Sequence, residues 1–336
     1  MHPLYYLILA AIAACIIALI LGPLFIPLLK RMKFGQNIRE DGPQSHLSKS
    51  GTPTMGGIFI VLAIIISLLI FTRGDFEYSI FAVVVILGYA IVGFLDDIIK
   101  IVKKRSLGLK PYQKIIGQMG LAIIVSIYVY LNVGTTLIIP FVAQPVDIGI
   151  FIIPLTIFVA VSIVNSVNLT DGLDGLASGV TMIVSAFLSV IIYYLLLQAT
   201  STEQTLYAVN MQNMMVLAGA VAGACLGFLR FNAYPARVFM GDTGSLGLGG
   251  ALLVLFVTTK LQLMLPIMGI MFVISTVSAL IQRLYYKKTK KRLFRMAPIH
   301  HHFELKGIHE TKVVTVYMII TAVVCMAALL MVNLSA

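Results

Sequence analysis

Long apolar stretches recur along the chain at 4–29, 55–71, 78–95, 115–131, 150–164, 180–197, 211–229, 246–259, 263–284 and 313–334, with short polar interruptions between them. An α-helix needs about 20 apolar residues to cross a hydrocarbon core of roughly 30 Å. The pattern therefore predicts an all-α integral membrane protein of about ten transmembrane helices, formed as one domain over 1–336. The stretches 150–164 and 246–259 are short for that thickness, so their helices are expected to extend into the polar motifs beside them. Between them, 132–149 places β-branched residues around a Pro/Gly turn and predicts a small β-hairpin on the outer side.

Composition narrows the class. The chain is 60% hydrophobic and 11% charged, against about 25% charged in soluble domains, which excludes a water-soluble fold. The basic group Lys30, Arg31 and Lys33 follows the first stretch instead of preceding it, so that stretch reads as a retained helix and not a cleavable signal. Cys15, Cys225 and Cys325 lie singly inside apolar runs with no CxxC spacing, as core fillers do. Of the 24 Lys and Arg, all but Arg73 and Lys260 fall in alternate connecting segments. Cytoplasmic segments retain positive charge, so both termini are expected outside. Most of the acids share the basic side. There is no internal repeat, and nothing in the pattern predicts a nucleic-acid partner.

Several constellations on that side carry chemistry. Asp96 and Asp97 close the third stretch in GFLDDIIKIVKKRS, where the negative end of the helix dipole disfavours paired carboxylates. Lys100, at i+4 from Asp96 and i+3 from Asp97, offsets this; a divalent cation or a proton-transfer role would too, and a solvated helix end is the plainer reading. The run 165–179, NSVNLTDGLDGLASG, has no basic residue. If the fifth helix continues through it, Asn165, Asn168 and Asp171 share one face able to grip a polar ligand, while Gly172, Gly175 and Gly179 relax the backbone. The alternative is a polar turn with ordinary glycine punctuation.

In 230–250, Asp242 precedes Ser245, which reads as the N-cap of the eighth helix. An Asp at a positive helix end suits Mg²⁺ beside phosphate oxygens, or simple capping. His300, His301 and His302 are consecutive and cannot all face one centre, so a His₃ metal site is not expected; imidazoles among phosphates can donate hydrogen bonds or shuttle protons. The Lys and Arg before them read equally as a topology signal that meets anionic lipid headgroups. The segment 48–57, SKSGTPTMGG, has the glycines and hydroxyls of an anion-binding turn but not the Walker spacing. Together these loops predict one site on one membrane face that binds a di-anionic nucleotide through Mg²⁺ while an anionic lipid headgroup enters from the bilayer. A transporter is the competing class, but it would show repeats and midplane polar groups.

GTPTMGG, LDD, NLTDGLDGLA, VFMGDTGS and PIHHHFE occur in this order over nearly the whole chain. In them the sequence resembles the phospho-N-acetylmuramoyl-pentapeptide transferases, a branch of the polyprenyl-phosphate N-acetylhexosamine-1-phosphate transferase superfamily. The resemblance implies ten transmembrane helices and a homodimer in the bacterial inner membrane, with the active site facing the cytoplasm. It implies transfer from UDP-MurNAc-pentapeptide to undecaprenyl phosphate, giving lipid I and UMP, in peptidoglycan biosynthesis. Carried over by motif, Asp96 and Asp97 activate the lipid phosphate, Asp96 as base, and Asp242 binds Mg²⁺. Asp171, Asp174, Asn168, Phe239 and Gln282 form the nucleoside and phosphate pocket; Lys49 and Thr54 match first-loop positions; His300 and His301 assist at the phosphates. Asn165, Asn232 and His302 complete the expected substrate contacts. Relatives that use UDP-GlcNAc are the alternative, and only the histidine loop argues against them.

Overall fold

The computed structural model describes residues 2–32, 49, 51–103, 108–142, 144–201 and 205–333; the basic positions Lys33, Arg39, Lys104 and Arg105 counted above lie outside them. Its helices are α1 (Pro3–Arg31), α2 (Gly57–Phe71), α3 (Glu77–Val102), α4 (Pro111–Tyr128), α5 (Ile152–Thr170), α6 (Leu176–Ser201), α7 (Thr205–Asn232), α8 (Gly241–Thr258), α9 (Leu265–Met268), α10 (Ile270–Thr289), α11 (Ile299–Glu304) and α12 (Glu310–Asn333). Among the described residues, 8 helices are long and apolar enough to cross a membrane. The expected ten stretches are all present, but two take another form. The stretch 263–284 is broken near Gly269, where the α9 segment and α10 meet at 81°, and α2 has only 15 residues, about 22 Å of helix.

The predicted hairpin exists: β1 (Thr136–Leu137) pairs antiparallel with β2 (Val146–Asp147) in the register Thr136↔Asp147 and Leu137↔Val146. Lys260 anchors it, accepting from the Ile138 N–H and donating to Thr136 Oγ1 at 2.8 Å.

Helix α8 is the axis of the bundle, with every residue from Thr243 to Thr258 buried. Small residues bring its neighbours close. A Cβ on Gly57 would lie 2.0 Å from the Gly244 nitrogen, and one on Gly93 2.1 Å from the Asp242 carbonyl oxygen, so α2 and α3 meet α8 backbone to backbone. In a membrane, where lipid competes for apolar contact, such small-residue seams are how helices associate. Helix α1 uses the same device, burying Ala10, Ala14, Ala18 and Gly22 at four-residue spacing.

Helix ends depart from the apolar pattern in ways that shape the site. Helix α3 does not stop at its carboxylates but runs on to Val102, which moves Asp96 and Asp97 away from the negative terminus. Helix α5 ends at Thr170 with Asp171 as its C-cap, so Asn165 and Asn168 share a helix face without it. Helix α8 begins at Gly241, which puts Ser245 in its second turn and not at the N-cap. At α8 the reason is tertiary, because Asp97 of α3 satisfies the first N–H groups of α8, whereas α3 and α5 close on their own backbone carbonyls.

Candidate active site

Three carboxylates meet where α3 approaches the start of α8. Asp96 and Asp97 are 4% and 2% exposed, and with Asp242 each offers an oxygen within 4.8 Å of the others. Asp97 caps α8 from another helix: its Oδ1 accepts from the Asp242 N–H at 3.1 Å, and its Oδ2 from the Thr243 N–H at 2.9 Å and Thr243 Oγ1 at 2.8 Å. The positive end of α8 thus stabilises this buried charge. Asp96 Oδ1 accepts from the Leu109 N–H at 2.8 Å.

Two ammonium groups compensate the cluster. Lys100 Nζ lies 2.6 Å from Asp96, 3.6 Å from Asp97 and 2.9 Å from Asp242. Lys114, from the first turn of α4, lies 2.8 Å from Asp242 and donates to Asn168 Oδ1 at 3.2 Å. Asn168 in turn donates to Asp242 Oδ1 at 2.9 Å and to Ser245 Oγ at 2.8 Å. One ammonium held among three carboxylates marks a position built for positive charge. The donor set is hard oxygen with no thiolate or imidazole, which suits Mg²⁺ among biological divalent ions.

A second knot joins the first loop to α12. Lys49 Nζ is 2.7 Å from both Asp174 and Glu310. Asp174 also accepts from the Ala236 N–H at 2.9 Å, while its own N–H donates to Glu310 at 2.6 Å. Burial lowers the Lys49 pKa, but the two carboxylates outweigh it and the net shift is upward. The residues of this knot, with Tyr234 and His309, line a cavity of about 310 Å³. Asn232 braces its wall, accepting from Gly175 N–H and Ser178 and donating to the Val238 carbonyl. Phe239 pairs its backbone with Pro53 and Gly56, which sets Thr54 beside Gly241.

The histidines divide as their spacing requires. A Cβ on Gly172 would lie 2.3 Å from His300 Nε2 and 2.9 Å from His301 Nε2, so these two rings face the 171–172 turn. His301 Nδ1 is 2.7 Å from Glu304; a carboxylate only accepts, so Nδ1 carries the hydrogen and Nε2 faces the turn. His302 points the other way, accepting from the Arg295 N–H at 3.0 Å; burial, Lys306 and Arg295 lower its pKa. Asp171, at the turn, has its pKa pushed up to about 8 by burial and by Asp242, Asp97 and Asp174.

The structure therefore gathers Asp96, Asp97, Asn168 and Asp242 in one cluster, with Asp171, His300 and His301 at the adjoining turn and Lys49 and Asp174 in the second knot. Three predicted residues are engaged elsewhere: Asn165 donates to Gln118 Oε1 at 2.7 Å, the Gln282 amide grips the backbone of Leu293 and Phe294, and His302 accepts from Arg295. Lys114 and Glu310 were not among the predicted site residues. Each is a charge in the first turn of an apolar helix, which in sequence reads as a topology marker.

The fold and this cluster define a membrane-embedded transferase. Residues 79–260 match the model of Glycosyl transferase family 4, a span that takes in α3 to α8 and all three clustered carboxylates. Residues 49–61 match signature 1 of the phospho-N-acetylmuramoyl-pentapeptide-transferases. The chain is 50% identical to the phospho-N-acetylmuramoyl-pentapeptide-transferase of Clostridioides difficile (strain 630) over 93% of this chain and 94% of that protein. It is 48% identical to the enzyme of the same name from Thermoanaerobacter pseudethanolicus over 94% and 96%, and 45% to that of Clostridium perfringens (strain 13) over 96% and 97%. The chain belongs to the phospho-N-acetylmuramoyl-pentapeptide-transferase family.

Proposed function

We propose that the protein transfers phospho-MurNAc-pentapeptide from UDP-MurNAc-pentapeptide to undecaprenyl phosphate, releasing UMP and forming lipid I for peptidoglycan, as a homodimer in the bacterial inner membrane. The observation that carries this reading is the convergence of Asp96, Asp97 and Asp242 around an ammonium, with Lys114 and Asn168 holding Asp242 in place. The cytoplasmic orientation of the site is supported by the basic residues, since 22 of the 24 fall in the alternate sequence segments that also carry Asp96, Asp97, Asp171 and Asp242.

The reaction is a direct displacement. An oxygen of the lipid phosphate attacks the phosphorus attached to the sugar, a new P–O bond forms, the bond to the UMP oxygen breaks, and UMP leaves with the electron pair. Such transfers depend on positioning and charge neutralisation more than on covalent chemistry. Asp242, supported by Asp96, would hold Mg²⁺, which supplies neutralisation of the diphosphate when bound. Asp97 holds the start of α8, and hence Asp242, against α3. Asp96, paired with Lys100 at 2.6 Å, takes a proton from the acceptor phosphate in this reading. Lys49 and the histidines at the 171–172 turn supply donors to the nucleotide.

The test is UMP release by purified protein given polyprenyl phosphate, Mg²⁺ and one UDP-sugar at a time. Turnover is expected with the muramoyl-pentapeptide donor. Turnover with UDP-GlcNAc alone would reassign the substrate, and UMP release before any lipid phosphate is added would replace direct displacement with a covalent enzyme intermediate.

A further inference from the structure

Helix α10 carries two faces. One points into the protein: Ser278 Oγ accepts from the Ile299 N–H at 3.0 Å, and Gln282 Oε1 accepts from the Leu293 and Phe294 N–H groups at 3.1 and 2.9 Å. The other, Val277, Leu280, Ile281 and Leu284, is an apolar stripe at helical spacing that is exposed among the described residues, Leu284 at 67%. Beyond Gln282 the last two turns leave the bundle, and every residue from Arg283 to Leu293 is exposed. Seven cations lie between Arg283 and Arg295, and the sequence holds no acid from Thr243 to Phe303. None of the seven forms an ion pair among the described residues.

An apolar stripe that runs directly into Lys287, Lys288, Lys291 and Arg292 suits the boundary of an anionic bilayer, with the stripe among acyl chains and the ammonium and guanidinium groups among phosphates. We propose that the projecting end of α10, with the 290–295 turn, is a docking surface for anionic phospholipid headgroups, and that this contact holds the histidine helix α11 in place. The mechanical link is short. Gln282 grips Phe294; the Phe294 ring packs on His302 at 5.7 Å; and the Arg295 N–H donates to His302 at 3.0 Å. His300 and His301, on the same short helix, face the 171–172 turn. The inference rests on the membrane reading of the chain and not on the transfer reaction.

The chain has no tryptophan, so Leu284→Trp places a single tryptophan on the stripe. The full-length protein is placed in bilayers of equal parts phosphatidylglycerol and phosphatidylcholine, with brominated acyl chains on one lipid or the other. Each surface cation favours an anionic headgroup by about fivefold, so quenching by the brominated phosphatidylglycerol is expected to exceed that by the brominated phosphatidylcholine. The excess should vanish in Lys287→Gln/Lys288→Gln/Lys291→Gln/Arg292→Gln, whose exposed substitutions leave the packed face intact. Equal quenching by both lipids, or quenching by neither, overturns the docking surface. Hydrogen exchange over 299–304 tests the link: protection should rise with phosphatidylglycerol in the parent protein and stay flat in the fourfold variant. Identical exchange in both lipids would sever the histidine helix from the surface. Neither readout requires transferase turnover, so failure here and failure of the proposed reaction are distinguishable.

Discussion

The two ends of the helical bundle handle their polar residues differently. At the hairpin end, charged side chains act singly and mostly on neutral partners: Lys260 reaches Thr136, Tyr128 donates to Glu77 at 3.0 Å, and Asn213 stitches the backbone of Arg73 and Asp75. Each contact ties a helix end to a loop. At the other end three carboxylates converge, and two lysines and the first turn of α8 are needed to stabilise them. Polar residues at the ends of membrane helices are unavoidable and indicate no activity by themselves. Like charges driven together in a buried place do, because folding alone gives no reason to keep them.

The sharpest break in this comparison is to neutralise one residue at each end. Asp242→Asn is expected to lower UMP release by about 10²–10³ or more, the scale on which loss of a key electrostatic contact acts, while Lys260→Gln should stay within about twofold. A comparable loss in Lys260→Gln would mean that the ends are not functionally distinct. Next is Lys114→Met, which removes the ammonium that orients Asp242 and Asn168; a fall in turnover of about tenfold to a hundredfold is expected. Glu310→Gln leaves Lys49 to Asp174 alone and weakens the acceptor for the Asp174 N–H. The expected cost is about 1–3 kcal/mol, read as a higher KM for the nucleotide donor with turnover less affected.

The last effect is on stability and not on turnover, and it shows as a pH dependence. Asp171, with a pKa pushed up to about 8, stays protonated in the folded chain where its unfolded counterpart ionises at about 4. The folded state therefore binds more protons across that interval, and this group's contribution to stability falls as pH rises from about 4 to about 8. Thermal unfolding of Asp171→Asn should show a flatter pH profile over that range. An unchanged slope would place the titrating group elsewhere.

Much of this was legible from residue order. Apolar length located the 8 helices long enough to cross a membrane among the described residues, and β-branched residues around the 132–149 turn located the hairpin. Asp96, Asp97, Asn168 and Asp242 stood out because polar residues next to membrane spans are few. What stayed hidden was non-local. The cap of α8 comes not from Ser245 but from Asp97, 146 positions away, and no local pattern reveals a cap supplied by another helix. The break at Gly269 lies inside an unbroken apolar stretch, where hydrophobicity carries no signal of direction. Lys114 and Glu310 resembled topology markers because their partners lie 128 and 261 positions distant.

We propose that the carboxylate cluster is a cation site and not only a packing device. Mn²⁺ titration of the resting protein, followed by electron paramagnetic resonance with Mg²⁺ as competitor, tests it most directly. One competed Mn²⁺ site per chain is expected, lost in Asp242→Asn and kept in Lys260→Gln. Unchanged binding in Asp242→Asn, or no binding in the parent protein at millimolar Mn²⁺, would contradict it.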